Sequence, residues 1–205
     1  MVWPVKIDAG TLPKDSGTHL YLQPLRIRDK SAWDEVRSFN RDWLQPWEAT
    51  RPTLPDERVD YSGQSLSLPS YVEMVRSHRK EGRALRSISL AMWLADRSGA
   101  RLVGQITLGG IVFGAMRGAH IGYWVDSRVA NRGVTTLAVQ AITDFGFTEL
   151  ALHRIEINLR PENGSSTRVA EKAGFIFEGM RPNYLHINGG WRDHATYVRE
   201  NPEIR

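Results

Sequence analysis

The 205-residue chain contains no cysteine, which excludes disulfide bonds, thiolate metal ligands and a cysteine nucleophile. A reducing compartment is compatible with this composition. Long apolar runs are absent too: residues 1–17 lack the apolar stretch of a signal peptide, and no run of about 18 apolar residues follows. We therefore expect no membrane span and a cytoplasmic location. The six histidines show no clustered spacing with carboxylates, so no metal site is expected.

The excess of charge of one sign is small. Lysine and arginine number 27 against 23 aspartates and glutamates, which gives a formal net charge of +4 at pH 7. Direct nucleic-acid binding is not predicted, because it requires a clustered basic face. The hydrophobic content of 41% and the charged content of 24% are typical of a globular domain, and the length suits one core. We expect an N-terminal tail over residues 1–18 and a single domain over residues 19–200.

Apolar and polar residues alternate with period two in several segments and follow helical spacing in others. The predicted strands are His19–Ile27, Ile88–Leu94, Leu102–Leu108, Ala119–Val125, Ile155–Leu159, Phe175–Glu178 and Trp191–Val198. The predicted helices are Asp29–Asn40, Ser70–Gly82, Val134–Phe145 and Ser165–Ala173. Hairpins followed by a β-α-β crossover predict an α+β fold with a mixed sheet flanked by helices. The length of the predicted loop over residues 51–70 suggests mobility or a binding role.

The segment that follows the predicted strand ending at Val125 carries the strongest chemical signal. Gly133 lies where an amphipathic helix begins, and the first amides of a helix have no intrahelical acceptor and favour an anion. Because glycine has no Cβ, the backbone there can approach a pyrophosphate closely, and Arg128 and Arg132 add positive charge nearby. An ordinary strand-to-helix connection containing one glycine is the alternative interpretation.

A second segment of interest lies between the next strand and a short helix. Asn163 in this segment either bonds the amide groups of an extended ligand or caps the helix that follows. Taken together, Gly122–Val125, the glycine loop, the helix, Asn163-x-x-Ser166 and Glu171–Phe175 resemble the core of the GNAT family of N-acetyltransferases. The resemblance runs from about residue 102 to residue 198, and more weakly from residue 20.

The resemblance implies a GNAT-like fold with acetyl-CoA in a splay between two parallel central strands. The cofactor-binding residues it implies are Tyr123, Trp124, Val125, Asn131, Arg132, Gly133, Val134, Thr135, Thr136, Asn163 and Ser166. The family's pyrophosphate loop is usually Gln/Arg-x-x-Gly-x-Gly/Ala, whereas this chain has Ala130 in the first position and Thr135 in the last. Since backbone amides do most of the holding, we expect cofactor binding to survive these departures.

Candidate catalytic residues follow from position in the predicted strands and from the resemblance. His120 is the first candidate for a general base, because it lies on the strand beside the expected cofactor and an imidazole titrates in the right range. Pairing to backbone or solvent is the alternative for His120. Glu156 would act through a water or is simply a solvated strand residue. Ser166 and Tyr184 are candidates for protonating the thiolate that leaves.

Two further segments resemble the RimJ-type ribosomal-protein alanine N-acetyltransferases, namely Trp43–Glu48 and the closing segment Tyr184–His194. Core packing is the alternative for these tryptophans. Related RimL-type enzymes carry a glutamate at the position of Leu185, so that base has no counterpart here. The resemblance implies acetylation of the N-terminal α-amine of a protein, such as a ribosomal protein. The alternatives are an acetyltransferase for a small amine, such as an antibiotic or polyamine, and a non-catalytic CoA-binding protein.

Overall fold

The computed structural model describes residues 3–13, 15–52 and 69–204. The strands are β1 (Ile7–Leu12), β2 (Asp15–Gln23), β3 (Ile88–Asp96), β4 (Gly99–Val112), β5 (Gly118–Val125), β6 (Arg154–Leu159), β7 (Ile176–Ile187) and β8 (Gly190–Glu200). The α-helices are α1 (Lys30–Phe39), α2 (Arg41–Leu44), α3 (Tyr71–Arg83), α4 (Val134–Thr148) and α5 (Gly164–Lys172). Short 3-10 turns cover Ile27–Asp29, Gln45–Trp47 and Ser127–Val129.

All these strands belong to one sheet in the order β1-β2-β3-β4-β5-β6-β8-β7. Strands β5 and β6 are parallel, because α4 forms the crossover between them, and the other neighbours in the described chain are antiparallel. The prediction of an α+β fold with a mixed sheet flanked by helices is therefore confirmed. None of the helices in the described ranges is long and apolar enough to cross a membrane.

The strand alternation divides the core between the two faces of the sheet. On one face α4 buries Ala138 and Ile142 in a cluster with Ile155 and Ile157. On the other face, α1 and α3 pack in a smaller cluster that includes Trp93 of β3. Successive side chains of a strand point to opposite faces, so a central strand serves both clusters. This arrangement holds the start of α4 beside the end of β5, where the functional site lies.

The sequence-based prediction of a tail over residues 1–18 is wrong for the part that the structure describes. Strand β1 and the first residues of β2 form an antiparallel hairpin at the edge of the sheet. Gly10 has φ +92° and lies at a register shift, so the alternation that would signal a strand is broken there. The domain boundary at residue 19 stays a prediction.

Two other expectations differ from the structure in extent. The predicted strand Phe175–Glu178 is the beginning of a much longer strand, β7, which pairs with β8 as far as the turn at Asn188 and Gly189. Gly174, at φ +83°, ends α5 in the left-handed conformation, as its position after the helix suggests. The predicted loop over residues 51–70 lies largely outside the described residues, which stop at residue 52 and resume at residue 69.

Gly146 offers a test of how tightly α4 packs on the sheet. A Cβ at this position would lie 2.8 Å from Cδ1 of Ile155 and 3.5 Å from methyl carbons of Leu108 and Leu152. Because these neighbours are buried and cannot move aside, we expect Gly146→Val to lower the free energy of unfolding by about 1–3 kcal/mol, measured by urea denaturation. Gly179→Val is the control, since the described chain places no atom within 4 Å of a Cβ there. Equal stability of the two variants would contradict the packing argument.

Candidate active site

The pairing of β5 with β6 ends before either strand does. The two strands are in register from Gly118 beside Arg154 to Ile121 beside Ile157. Beyond that point β5 stays paired with β4 as far as Val125, while β6 stays paired with β8 as far as Leu159. The strands therefore diverge, and the facing edge of residues 122–125 is open. This is the splay that the fold prediction places between two parallel central strands.

The loop from β5 to α4 brings a set of amide groups to the splay. Asn131 and Gly133 both have positive φ, +61° and +86°, and α4 begins at Val134. The first helical bond in this turn runs from the Leu137 amide to the Gly133 carbonyl. Amides of residues 134–136 therefore point out of the start of α4, where the helix dipole favours an anion.

One cavity of about 880 Å³ joins the splay to this loop. The predicted cofactor-binding residues all line it, namely Tyr123, Trp124, Val125, Asn131, Arg132, Gly133, Val134, Thr135, Thr136, Asn163 and Ser166. The structure thus brings the sequence-based set together around one cavity, and the individual roles stay predictions.

Positive charge outweighs negative charge among the described residues that line this cavity. They include the cations Arg37, Arg132, Arg168 and Lys172 and the carboxylates Glu48 and Glu162. Arg132 also reaches Asp15 of the β1–β2 hairpin at 3.0 Å, and Pro13 of the same hairpin lines the cavity. Sequence reasoning missed this contribution because the hairpin was predicted to be a tail.

Asp126, which is only 2% exposed, anchors the loop at its beginning. Its Oδ1 accepts hydrogen bonds from Nδ2 of Asn40 and from the Arg128 amide, both at 3.0 Å. The Ser127 amide in turn donates to Oδ1 of Asn40 at 2.8 Å, which ties the loop to the end of α1. Burial alone would raise the pKa of Asp126, but the hydrogen bonds from Arg128 and Asn40 outweigh it and hold the pKa below its usual range. The positive charge of Arg128, which the sequence analysis placed near the pyrophosphate, is therefore paired with the Asp126 carboxylate.

Asn163 and Ser166 lie at the start of α5. Oδ1 of Asn163 accepts the Ser166 amide at 3.0 Å, so Asn163 caps this helix as well as lining the cavity. The Tyr123 hydroxyl donates to the Ser166 carbonyl at 3.4 Å. Burial raises the pKa of Tyr123 to about 12, so this phenol stays protonated at neutral pH. The contact connects β5 to α5 across the splay.

His120 and Glu156 face each other as register partners on β5 and β6, but neither belongs to the cavity lining. The His120 ring lies against the backbone of β4, where a Cβ on Gly110 would come within 2.8 Å of it and one on Gly109 within 3.0 Å. Burial lowers the pKa of His120; the charge of Glu156 raises it and that of Arg181 lowers it further. The imidazole is therefore neutral at physiological pH, and its role as a base stays a prediction.

Glu156 is only 9% exposed, so the solvated-residue interpretation does not describe it. Its carboxylate is held by Arg154 at 3.0 Å and by Arg181 at 2.8 Å. Tyr184 accepts a hydrogen bond from Arg181 at 3.2 Å and packs edge-on against His194. The structure therefore does not bring Glu156 and Tyr184 into the cavity with Ser166. Their catalytic roles stay predictions.

A wall of aromatic residues completes the cavity. Trp43 and Trp47 are 46% and 38% exposed and line it, which decides against core packing for this pair. The Arg160 guanidinium lies 5.3 Å from the Trp47 ring and also donates to the Pro46 carbonyl at 3.0 Å. The two tryptophans around Pro46 were the signal for this wall in the sequence. In residues 3–13, 15–52 and 69–204, no group of three or more His, Cys, Asp or Glu could hold a metal ion.

A strand splay beside an amide-lined helix start is the architecture of an acyl-CoA-dependent acyltransferase. A family model described as "Acetyltransferase (GNAT) domain" matches residues 19–176, and the chain belongs to this family of N-acetyltransferases. It is 33% identical to a probable N-acetyltransferase of Bacillus subtilis, YjcK, over 187 residues that cover 91% of this chain and 97% of the relative. It is 28% identical to the ribosomal protein uS5-alanine N-acetyltransferase of Escherichia coli, over 86% of each chain.

A solved structure gives a closer geometric comparison. RimJ of Mycobacterium smegmatis, determined in complex with CoA-disulfide, superposes with a TM-score of 0.78 at 32% identity. The match covers 98% of this chain and 90% of that protein. The enzyme class, the GNAT-like fold and the RimJ-type resemblance that the sequence analysis stated are thereby confirmed.

Gly133 provides the test of the loop. Valine at φ +86° is strained by about 1–2 kcal/mol, so Gly133→Val would displace the amides at the start of α4. We expect its affinity for acetyl-CoA to fall at least about tenfold, measured by calorimetry. Gly99→Val is the matched control, because Gly99 has φ +127° in the β3–β4 turn, away from the cavity. Equal loss of affinity in both variants would argue against a role for the loop.

The Asp126 anchor generates a pH prediction. A carboxyl whose folded pKa is lowered stabilises the protein above its unfolded pKa, about 3.9, and this stabilisation is lost as the pH falls below that value. We expect Asp126→Asn to be less stable than the parent at pH 7 and to lose less stability between pH 4 and pH 3. Urea denaturation at each pH measures both effects. Asp144→Asn, an exposed change on α4, is the control, and identical acid profiles for the parent and Asp126→Asn would refute the anchor.

Proposed function

We propose that the protein transfers the acetyl group of acetyl-CoA to the N-terminal α-amine of a protein, in the manner of a ribosomal-protein alanine N-acetyltransferase. The observation that carries this proposal is that one cavity joins the loop before α4 to the wall around Trp43 and Trp47. A cofactor and an acceptor can thus meet in one space. The similarity to the uS5-alanine enzyme and to RimJ supports a protein acceptor.

The lining of the cavity suits acetyl-CoA. The amides of residues 134–136 fit a pyrophosphate, and the charges of Arg132, Arg168 and Lys172 fit phosphate groups. The open edge of residues 122–125 offers backbone groups to the amides of the pantetheine arm. When bound, acetyl-CoA supplies an activated acyl group as a thioester. The chain's task is then to orient the thioester and the amine and to receive a proton.

The charge of the lining also bears on the acceptor. A polyamine carries several positive charges and would require several carboxylates, whereas the described lining has four cations and two carboxylates. A single α-amine makes a smaller demand. Its reference pKa of about 7.7–8.0 leaves a fair fraction neutral at cellular pH, in contrast to a lysine side chain near 10.4. The balance of charge and the acid-base chemistry therefore favour an α-amine.

A peptide with both kinds of amine provides the test. We expect the enzyme and acetyl-CoA to acetylate the N-terminal amine of a short peptide beginning with alanine or serine, and to leave an internal lysine largely unmodified. Mass spectrometry with fragmentation locates the acetyl group. The matched control is the same peptide with its N terminus already blocked, which we expect to be a poor substrate.

Three other outcomes would contradict the proposal in different ways. Acetyl groups found mainly on the lysine would indicate a side-chain acetyltransferase. Turnover confined to free amines such as an aminoglycoside or spermidine would favour a small-molecule enzyme. Tight binding of acetyl-CoA without turnover on any amine would favour a non-catalytic CoA-binding protein.

A further inference from the structure

Glu48 lines the cavity, and its backbone is fixed by contacts with distant parts of the chain. It ends the 3-10 turn Gln45–Trp47, and its carbonyl accepts the Asn188 amide at 3.0 Å. Ala49 next to it forms an isolated bridge with Ile187. The segment is therefore docked on the turn of the β7–β8 hairpin, which determines where the Glu48 side chain can reach.

An arginine connects the Glu48 carboxylate to the splay between β5 and β6. It forms an ion pair with Arg37 of α1, whose guanidinium carbon lies 5.1 Å from the centre of the Trp124 ring. Trp124 belongs to the part of β5 that has parted from β6. The Glu48 side chain is 42% exposed, so its carboxylate keeps access to the cavity while Arg37 holds it. A negative charge thus lies beside the place where the strands open.

Other carboxylates are less well placed. In the described ranges the carboxylates that line the cavity are Glu48 and Glu162. Glu162 lies in the turn before α5, next to the cofactor-side residue Asn163, and is paired with Arg160 at 3.3 Å. Glu156 is enclosed by two arginines outside the cavity lining. Among the described lining carboxylates, Glu48 is therefore the one whose arginine partner, Arg37, packs on Trp124 at the open end of β5.

We propose that Glu48 receives the acceptor amine and takes its proton during acetyl transfer, an inference that rests on the proposed function. The neutral nitrogen forms a bond with the thioester carbonyl carbon, the carbon–sulfur bond breaks, and the electron pair stays on sulfur. The proton released by nitrogen goes to Glu48 and from there to the sulfur, so atoms and charges balance. Arg37 holds the carboxylate in place through their ion pair.

The test separates this role from a structural one. We expect Glu48→Gln to lower kcat for peptide acetylation by about 10²-fold or more, while the Kd for acetyl-CoA and the melting temperature stay near the parent values. Glu48→Asp, which keeps the carboxylate, should recover part of the rate. Glu81→Gln is the matched control, since Glu81 is also a partly exposed glutamate paired with an arginine, Arg86, but lies on α3 away from the cavity.

The outcomes distinguish the assignment from the proposed function. A parent-like kcat in Glu48→Gln would overturn the role of Glu48 and leave N-terminal acetylation standing. A large loss in His120→Ala with none in Glu48→Gln would give the proton to His120 instead. An unmodified enzyme that acetylates no amine would overturn the proposed function and the role of Glu48 together. Equal losses of rate in Glu48→Asp and Glu48→Gln would reduce Glu48 to a packing role and also contradict the proposal.

Discussion

Every part of the site depends on the point at which the pairing of β5 with β6 ends. After Ile121 and Ile157 the two strands have no common ladder, although each keeps its other neighbour. Backbone groups that leave a ladder must be satisfied by water or by a ligand, since an unpaired amide or carbonyl in a buried place is costly. The sheet thereby creates a slot with hydrogen-bonding edges and rigid walls, which suits an extended ligand that contains amide groups.

The slot would be of little use if the start of α4 were not fixed beside it. Its position follows from the packing of α4 on one face of the sheet. It also follows from the Asp126 anchor, in which Asn40, at the end of α1, bonds both Asp126 and the Ser127 amide. Arg132 adds a contact with the β1–β2 hairpin. The packing of α4, the Asp126 anchor and the Arg132 contact thus hold the loop that presents the amides. They also hold its two left-handed residues, Asn131 and Gly133, in that conformation.

The residues that line the cavity around the start of α4 were predictable as a group because their signals are local. These signals are the alternation of β5, the apolar stripe of α4 and the positions of Gly133 and Asn163. They lie within a short stretch of sequence, and each indicates the conformation of its own segment. Features that need distant partners were missed. The pair of arginines around Glu156 includes Arg181 from another strand, and the first strand is hidden because the bulge at Gly10 breaks its alternation.

The wall around Trp43 and Trp47, where we propose that the acceptor binds, depends on such distant contacts. Thr50 donates its amide to the His186 carbonyl, Ala49 bridges Ile187, and Trp47 lies under Arg160. The segment that follows α2 is thus placed by β7 and by the turn before α5. The contacts that place this wall are thus distributed along the chain, which is why the family was easier to infer from sequence than the acceptor.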